Sequence, residues 1–348
     1  MGVIDLRSSQ TYEAVSDDRL KDEDNAIWVM DLPSDVRQTW IKRIYWLRWV
    51  DRLAEQEQVV YQGDRFKTFQ QAWQRLRELG QVAPQDHHWE ILSYLAQLWF
   101  QSSPNPVTEA AIQAWDSYVE AMAVYHHRDL KIDTLADYEQ MLERIAGSFF
   151  QCFPYQQPNH LQAARFFGLV DQFYNNLRDL REDSLQGLCY FPEEVLDRFN
   201  LRRRDLLAMS CFNDPNYFSL MEFWIEDYLP QIRRKTIRLA LANDLHPSWK
   251  QMRDWCIHRY GRVERVLKQC GYNFALFPEQ YWQEVRRDLA HYHSLTRIGK
   301  AAEVHRAYRI YGMARFLKLS PVTLNVLETG LKALEQGHNH RPPGKGLS

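Results

Sequence analysis

A stripe of acidic and amide side chains lies near the middle of the chain. Residues 172–192 read QFYNNLRDLREDSLQGLCYFP, in which Asn175, Asp179 and Asp183 follow one another at intervals of four. This spacing places them on one face of a helix, which we expect to end near Gly187. Unpaired carboxylates at this spacing repel each other, so the pattern favours a bound cation such as Mg²⁺, which takes oxygen ligands. A solvated surface with internal ion pairs is the alternative.

A second acidic pair lies nearer the N-terminus, in residues 31–57, which read DLPSDVRQTWIKRIYWLRWVDRLAEQE. Asp51 and Glu55 are four residues apart and therefore share a helical face, where both can offer oxygen atoms to a metal ion. Arg48 precedes them on the same face. An exposed face of ion pairs is again the alternative.

The elements that must position these groups are helices. Gly and Pro number only 14 each, and no run of residues alternates long enough to indicate a sheet. Thr134, followed by Asp137, is typical of a helix N-terminus. We predict helices over residues 34–58, 68–79, 89–100, 108–125, 135–150, 160–184, 192–209, 217–242, 248–270, 278–299, 301–317 and 321–336.

This pattern predicts one all-α domain over residues 24–335. Residues 1–23 are expected to form an N-terminal extension, and residues 336–348, rich in Gly, Pro and His, a flexible tail. No fixed-period repeat or biased linker requires a second domain.

Charge and composition exclude several classes of protein. The 43 basic and 45 acidic residues nearly balance, so no long-range field attracts nucleic acid. No window approaches the roughly 18 apolar residues of a membrane span, and the N-terminus lacks a signal-peptide pattern. Five cysteines without C-x-x-C spacing favour a reducing, cytoplasmic location. The paired histidines lack the spacing of a helical metal site and are expected at the surface or in the tail: His87 and His88, His126 and His127, His291 and His293, His338 and His340.

The order of residues in both acidic segments resembles the squalene/phytoene synthase family. In that family the second aspartate-rich motif reads Q-x-x-N-x-x-R-D-x-x-E-D and is followed by a G-R-x-Y-L-P turn. The first motif is matched here by Arg37, Arg48 and Asp51, whereas Glu55 replaces the closing aspartate and Tyr45 stands one residue closer to the arginine. The second motif is matched at Gln172, Asn175, Arg178, Asp179, Glu182, Asp183, Gly187, Tyr190 and Pro192.

The resemblance implies a single helical bundle of the isoprenoid synthase type around a central apolar cavity. Ala146 and Gly147, also retained from the family, would allow close helix contact beside it. It further implies a magnesium-dependent transferase that ionises prenyl diphosphates of farnesyl or geranylgeranyl length and joins two of them head to head. A squalene-type reaction would require NADPH, and a phytoene-type reaction would not. A lipophilic product would bring peripheral membrane contact, and the oligomeric state stays open.

The resemblance also implies roles for individual side chains. The catalytic metal ligands would be Asp51, Glu55, Asp179 and Asp183. The substrate would be bound by Arg37, Tyr45, Arg48, Gln172, Asn175, Arg178, Glu182 and Tyr190.

Several departures from the family leave a noncatalytic alternative open. Glu55 replaces an aspartate, Leu188 stands where the family carries an arginine, and residues 25–30 lack the serine that helps to hold a diphosphate. Each lost charge-assisted contact weakens substrate binding by about 1.5–3 kcal/mol. The chain is then either a specialised enzyme or a diverged member that keeps the fold as a binding or scaffolding module.

Overall fold

Helices account for every regular element in the described part of the chain. The computed structural model describes residues 14–56, 63–83, 85–101, 105–127, 130–297, 313 and 316–318. The α-helices are α1 (Ala14–Ala26), α2 (Ser34–Ala54), α3 (Arg65–Leu79), α4 (Trp89–Trp99), α5 (Pro106–Tyr125), α6 (Leu135–Leu142), α7 (Ser148–Gln151), α8 (Leu161–Arg178), α9 (Leu180–Leu185), α10 (Glu193–Arg198), α11 (Arg203–Leu207), α12 (Pro215–Glu222), α13 (Leu229–Lys235), α14 (Ile237–Leu241), α15 (Pro247–Gln269) and α16 (Phe277–Arg297). Short 3₁₀ segments cover Ile27–Asp31 and Pro158–His160, and π-helical turns cover Glu143–Gly147 and Phe223–Tyr228.

Several of these helices, α5 and α6 among them, begin at side chains that accept hydrogen bonds from the first free backbone N–H groups. At the start of α5, Asn105 Oδ1 accepts from the backbone of Val107 and Thr108. At the start of α6, the backbone N–H of Asp137 donates to Thr134 Oγ1, and that of Thr134 donates to the Asp137 carboxylate, each at 3.1 Å. The N-terminus predicted at Thr134 is therefore confirmed.

The predicted helix 192–209 is split in the structure, and two others lie almost entirely outside the described residues. The single helix expected over residues 192–209 is wrong, because the structure has the two short helices α10 and α11. Between them Asn200 has a φ of 53°, in the left-handed region that ends a helix. The helices predicted at 301–317 and 321–336 and the tail at 336–348 lie outside the described residues, apart from 313 and 316–318.

Helix α8 runs through the centre of the bundle and packs against α6, α7, α13 and α15. A Cβ atom at Gly168 of this helix would lie only 2.2 Å from the carbonyl oxygen of Ala146 and 2.8 Å from the Cα atom of Gly147. Small residues at these positions therefore allow the two backbones to meet, and they fix the position of the helix that carries the second acidic motif.

Aromatic side chains fill the interior beside the second half of α8. The ring of Phe173 lies 5.3 Å from that of Tyr228 and 5.7 Å from that of Trp224, and Tyr138 contacts the same group. All four are buried. Rings at these separations pack at interior density. Within the described residues, no helix has both the length and the apolar character needed to cross a membrane.

Candidate active site

The first acidic motif lies at the C-terminal end of α2. The backbone of Glu55 keeps helical dihedral angles, so the predicted spacing of Asp51 and Glu55 on one face is retained. An Arg48 N–H donates to Asp51. His126, the residue after α5, is buried and places its Nε2 atom 3.6 Å from Asp51 Oδ1.

These side chains form a set of donors that fits a divalent cation. One donor atom from each of Asp51, Glu55 and His126 lies within 4.8 Å of the others. Carboxylate oxygen and imidazole nitrogen both bind divalent metals at about 2.0–2.2 Å, and two ligands of one ion then lie about 3 Å apart. Small side-chain movements would therefore suffice to enclose an ion.

Neighbouring charges set the protonation of this first motif. Burial raises the pKa of Asp51, but Arg48 and His126 outweigh it and hold that pKa below its ordinary value. Burial lowers the pKa of His126, but the hydrogen bond and charge of Asp51 outweigh it and raise that pKa. Without metal, the imidazole therefore holds a proton more firmly than an ordinary histidine does, and metal binding would release that proton.

The second acidic motif lies at a break between two helices. The continuous helix predicted to end near Gly187 is interrupted, because α8 ends at Arg178 and α9 begins at Leu180, with Asp179 at φ −96° and ψ 7°. Arg178 donates to both oxygens of Asp179, through Nε at 2.8 Å and Nη2 at 2.6 Å. Adjacent residues do not face each other on a regular helix, so this two-point contact accompanies the break.

Lys21, from α1, lies within this second motif. Its ammonium group hydrogen-bonds to Glu182 and is 3.3 Å from Asp179 Oδ1. Only 9% of the Lys21 side chain is exposed. Burial raises the pKa of Asp179, but the positive charges of Arg178 and Lys21 outweigh it and hold that pKa far below its ordinary value. Asp179 is therefore ionised and paired.

Asp183 has a different environment from Asp179. Burial and the charges of Asp179 and Glu182 raise the pKa of Asp183 well above its ordinary value. Its side chain lines a pocket of about 10 Å³ together with Leu188 and Tyr190. This is space for about one water molecule, whereas ligand sites usually enclose at least about 300 Å³. A cavity large enough for a prenyl chain stays a prediction.

Charged residues of α1 link the two motifs. The pKa of Tyr190 is raised well above its ordinary value, mainly by burial and then by the negative charges of carboxylates from both motifs. Glu55 also contributes, after nearer groups, to the raised pKa of Asp183. Adjacent residues of α1 join the motifs, since Lys21 contacts the second and Asp22 forms ion pairs with two arginines of the first.

Two predicted substrate-binding residues lie apart from this cluster. Arg37 donates to the carbonyl of Met30 at 3.3 Å. At a rise of 1.5 Å per residue, its backbone lies about 21 Å from that of Asp51 along the axis of α2. Tyr45 is 44% exposed and packs edge-on against Trp46. The structure therefore does not bring these two side chains to the carboxylates.

Two other predicted substrate-binding residues are hydrogen-bonded along α8. Gln172 donates to Asn176 Oδ1 at 2.9 Å, and Asn175 donates to Asp171 Oδ2 at 3.0 Å. Asp171 also accepts from the hydroxyl of Tyr260 on α15 at 2.8 Å. These amides thus support the helix and its packing in the structure shown, and their predicted contacts with substrate stay a prediction.

Sequence reasoning missed two residues of the site. The expectation that His126 is a surface histidine is wrong, because packing after α5 buries it against Asp51; His88 is buried as well. Lys21 belongs to the predicted N-terminal extension, yet it contacts the second motif across 161 positions of sequence. No local spacing signals either contact, because both arise from tertiary packing. The domain boundary predicted at residue 24 stays a prediction.

The chain is similar to known proteins in both sequence and fold. The profile of the squalene/phytoene synthase family matches residues 19–234. A 15-cis-phytoene synthase of Synechococcus elongatus is 30% identical over 126 residues, which are 34% of this chain and 37% of that protein. A 15-cis-phytoene synthase of Synechocystis sp. is 44% identical over 59 residues, 17% of either protein. These alignments thus span 37% and 17% of the relatives' own length.

The crystal structure of a dehydrosqualene synthase in complex with ligand has a similar fold. Its TM-score is 0.57 at 15% sequence identity, and the match covers 80% of this chain and 96% of that one. The fold is therefore the all-α bundle of the isoprenoid synthases, as predicted. Because the family profile covers more than half of the chain, including both acidic motifs, the protein belongs to the squalene/phytoene synthase family.

Proposed function

We propose that this protein is a metal-dependent prenyltransferase that joins two prenyl diphosphates head to head. The observation that carries the proposal is that adjacent residues of α1, Lys21 and Asp22, link two acidic motifs that are distant in sequence, beside an aromatic interior. The family match supports the same class of reaction. Farnesyl and geranylgeranyl diphosphate are the substrates proposed from the sequence.

The first motif is the better supported metal site. Asp51, Glu55 and His126 would hold a divalent cation, Mg²⁺ or a related ion. Such a cation, when bound, supplies positive charge that makes a diphosphate a better leaving group. That Asp179 and Asp183 are direct metal ligands stays a prediction from the resemblance.

Arginines beside both motifs would orient the carboxylates and contact the diphosphate. Arg48 is fixed by Asp51, and Arg178 by Asp179. Each guanidinium has five N–H donors in a planar group. Arg178, paired with one carboxylate, and Arg48, paired with those of Asp51 and Asp22, therefore both keep donors for a phosphate oxygen. These two arginines would therefore attract the leaving diphosphate while they keep the aspartates in place.

The aromatic interior would have to open to receive the prenyl chain of the substrate, because its rings pack closely. The buried rings of Tyr138, Phe173, Trp224 and Tyr228 exclude water and present electron-rich faces. Such faces stabilise a nearby cation by about 0.5–2 kcal/mol each. An allylic cation in these surroundings would react with a second prenyl diphosphate before water reaches it.

The test is metal-dependent release of pyrophosphate from farnesyl or geranylgeranyl diphosphate, with product identification and with or without NADPH. We expect release that requires a divalent cation and a product with twice the chain length. Asp51→Asn should lower the rate by at least about 100-fold. Glu226→Gln, which alters an exposed acid paired with Lys268, is the matched control. No release from correctly folded protein with either substrate would favour the noncatalytic module.

A further inference from the structure

Lys21 is a buried cation at a position where the family resemblance leads one to expect a metal. Its ammonium contacts Glu182 and lies 3.3 Å from Asp179, with 9% of the side chain exposed. An ammonium group is strongly hydrated and is costly to bury unless carboxylates surround it. This burial therefore requires the two carboxylates that Lys21 contacts.

Helix α1, which carries Lys21, is held against α15 by contacts of Asp24. The Asp24 side chain is only 2% exposed and forms ion pairs with Arg262 and Arg259 of α15. The indole N–H of Trp255 donates to the backbone carbonyl of Asp24. Because these contacts lie within one turn of Lys21, its backbone is held in place beside the second motif.

The charges of the second motif already balance without a metal. Arg178 and Lys21 face the carboxylates of Asp179 and Glu182 in direct contacts. The remaining acid, Asp183, lines the small pocket beside Leu188 and Tyr190. At the first motif Arg48 pairs with Asp51, but two carboxylates and an imidazole still lie within 4.8 Å of one another.

We infer that Lys21 takes the place of a divalent cation at the second motif. The protein would then hold a diphosphate between one metal-binding motif, the first, and a second motif whose positive charge comes from Lys21 and Arg178. The inference rests on the proposed function for the identity of the anion. It predicts that the second motif binds metal only when Lys21 is removed.

The test counts bound Mn²⁺ by electron paramagnetic resonance in the presence of inorganic pyrophosphate. Lys21→Met is expected to bind an additional Mn²⁺ ion relative to the unmodified protein, because the vacated carboxylates become available. Lys21→Arg keeps the charge and should bind the same number as the unmodified protein. Lys268→Met, which removes an exposed ammonium paired with Glu226, is the matched control and should not change the count. An unchanged or smaller count in Lys21→Met overturns the inference.

A variant of the second motif that retains Lys21 keeps the inference testable if Lys21→Met does not fold. Glu182→Gln removes a half-exposed carboxylate from the same cluster. If the second motif holds no metal, this variant should bind as many Mn²⁺ ions as the unmodified protein. Loss of an ion would overturn the inference. Because this test counts bound ions and does not measure turnover, its result can be interpreted even if the prenyltransferase assay shows no activity.

Discussion

The two acidic motifs share carboxylates at intervals of four but differ in what surrounds them. Asp51 and Glu55 continue one helix, Arg48 pairs with Asp51, and the third donor beside them is an imidazole from another part of the chain. Asp179 lies at a break between helices, and its partners are the cations Arg178 and Lys21. The comparison teaches that carboxylate spacing does not by itself define a metal site, because neighbouring groups decide whether the negative charge is already neutralised.

The largest expected effect is on metal binding at the first motif. His126→Ala removes one of the three donors, so Mn²⁺ affinity should fall by about 100-fold, or about 2.7 kcal/mol. Titration with Mn²⁺ in the absence of substrate measures this. His160→Ala is the matched control, since His160 is also buried and bonded to a carboxylate, Asp244 at 2.8 Å. Equal affinities in both variants would remove His126 from the metal site.

The imidazole also has a consequence for metal choice. Nitrogen ligands favour Mn²⁺ and later transition metals over Mg²⁺, whereas carboxylates suit Mg²⁺. His126→Asp should therefore lower the preference for Mn²⁺ over Mg²⁺, measured as the ratio of the two affinities. A ratio that does not change would mean that the ion is held by carboxylates alone.

Local features of the fold could be predicted from sequence, and contacts between distant segments could not. The helix predicted at 248–270 is α15, Pro247–Gln269, because apolar periodicity is a property of neighbouring residues. The break at Asp179 depends on how one side chain pairs with Arg178, which periodicity does not encode. His126 and Lys21 reach the motifs only through tertiary packing, so no spacing rule predicts them.

The second motif depends on the position of α8 more than the first does, and Gly168 tests this. A Cβ at Gly168 would overlap the Ala146 carbonyl, so Gly168→Ala should destabilise the protein by about 2 kcal/mol in urea unfolding. Gly261→Ala is the control, because a Cβ there meets nothing within 4 Å and alanine favours a helix. A Gly168→Ala protein as stable as Gly261→Ala would show that α8 shifts freely.

The stability of Asp179→Asn distinguishes two interpretations of this residue. Asp179 is either a carboxylate stabilised by its cationic partners or one of several carboxylates that repel each other in a metal site. Because Arg178 and Lys21 hold the pKa of Asp179 below its ordinary value of 3.8, its ionised form stabilises the fold above about pH 4. That stability is lost as the pH falls through the folded-state pKa. The variant should therefore be less stable at pH 7 by about 1.5 kcal/mol without metal. An unchanged or raised stability would indicate that repulsion between metal-site carboxylates dominates.

Asp183→Asn should have a smaller effect of opposite sign. Burial, Asp179 and Glu182 raise the pKa of Asp183, so the folded protein keeps a proton that the unfolded chain loses. This difference lowers the free energy of unfolding. The loss is absent below the ordinary pKa of 3.8 and grows as the pH rises towards the folded-state pKa. Removing the ionisable group should therefore stabilise the protein at pH 7 by at least about 0.5 kcal/mol. Urea unfolding without metal at pH 7 and at pH ~3.5 measures the difference, which should vanish at the lower pH. A loss of stability at pH 7 would mean that Asp183 is ionised and paired like Asp179, and the contrast between these two aspartates would fail.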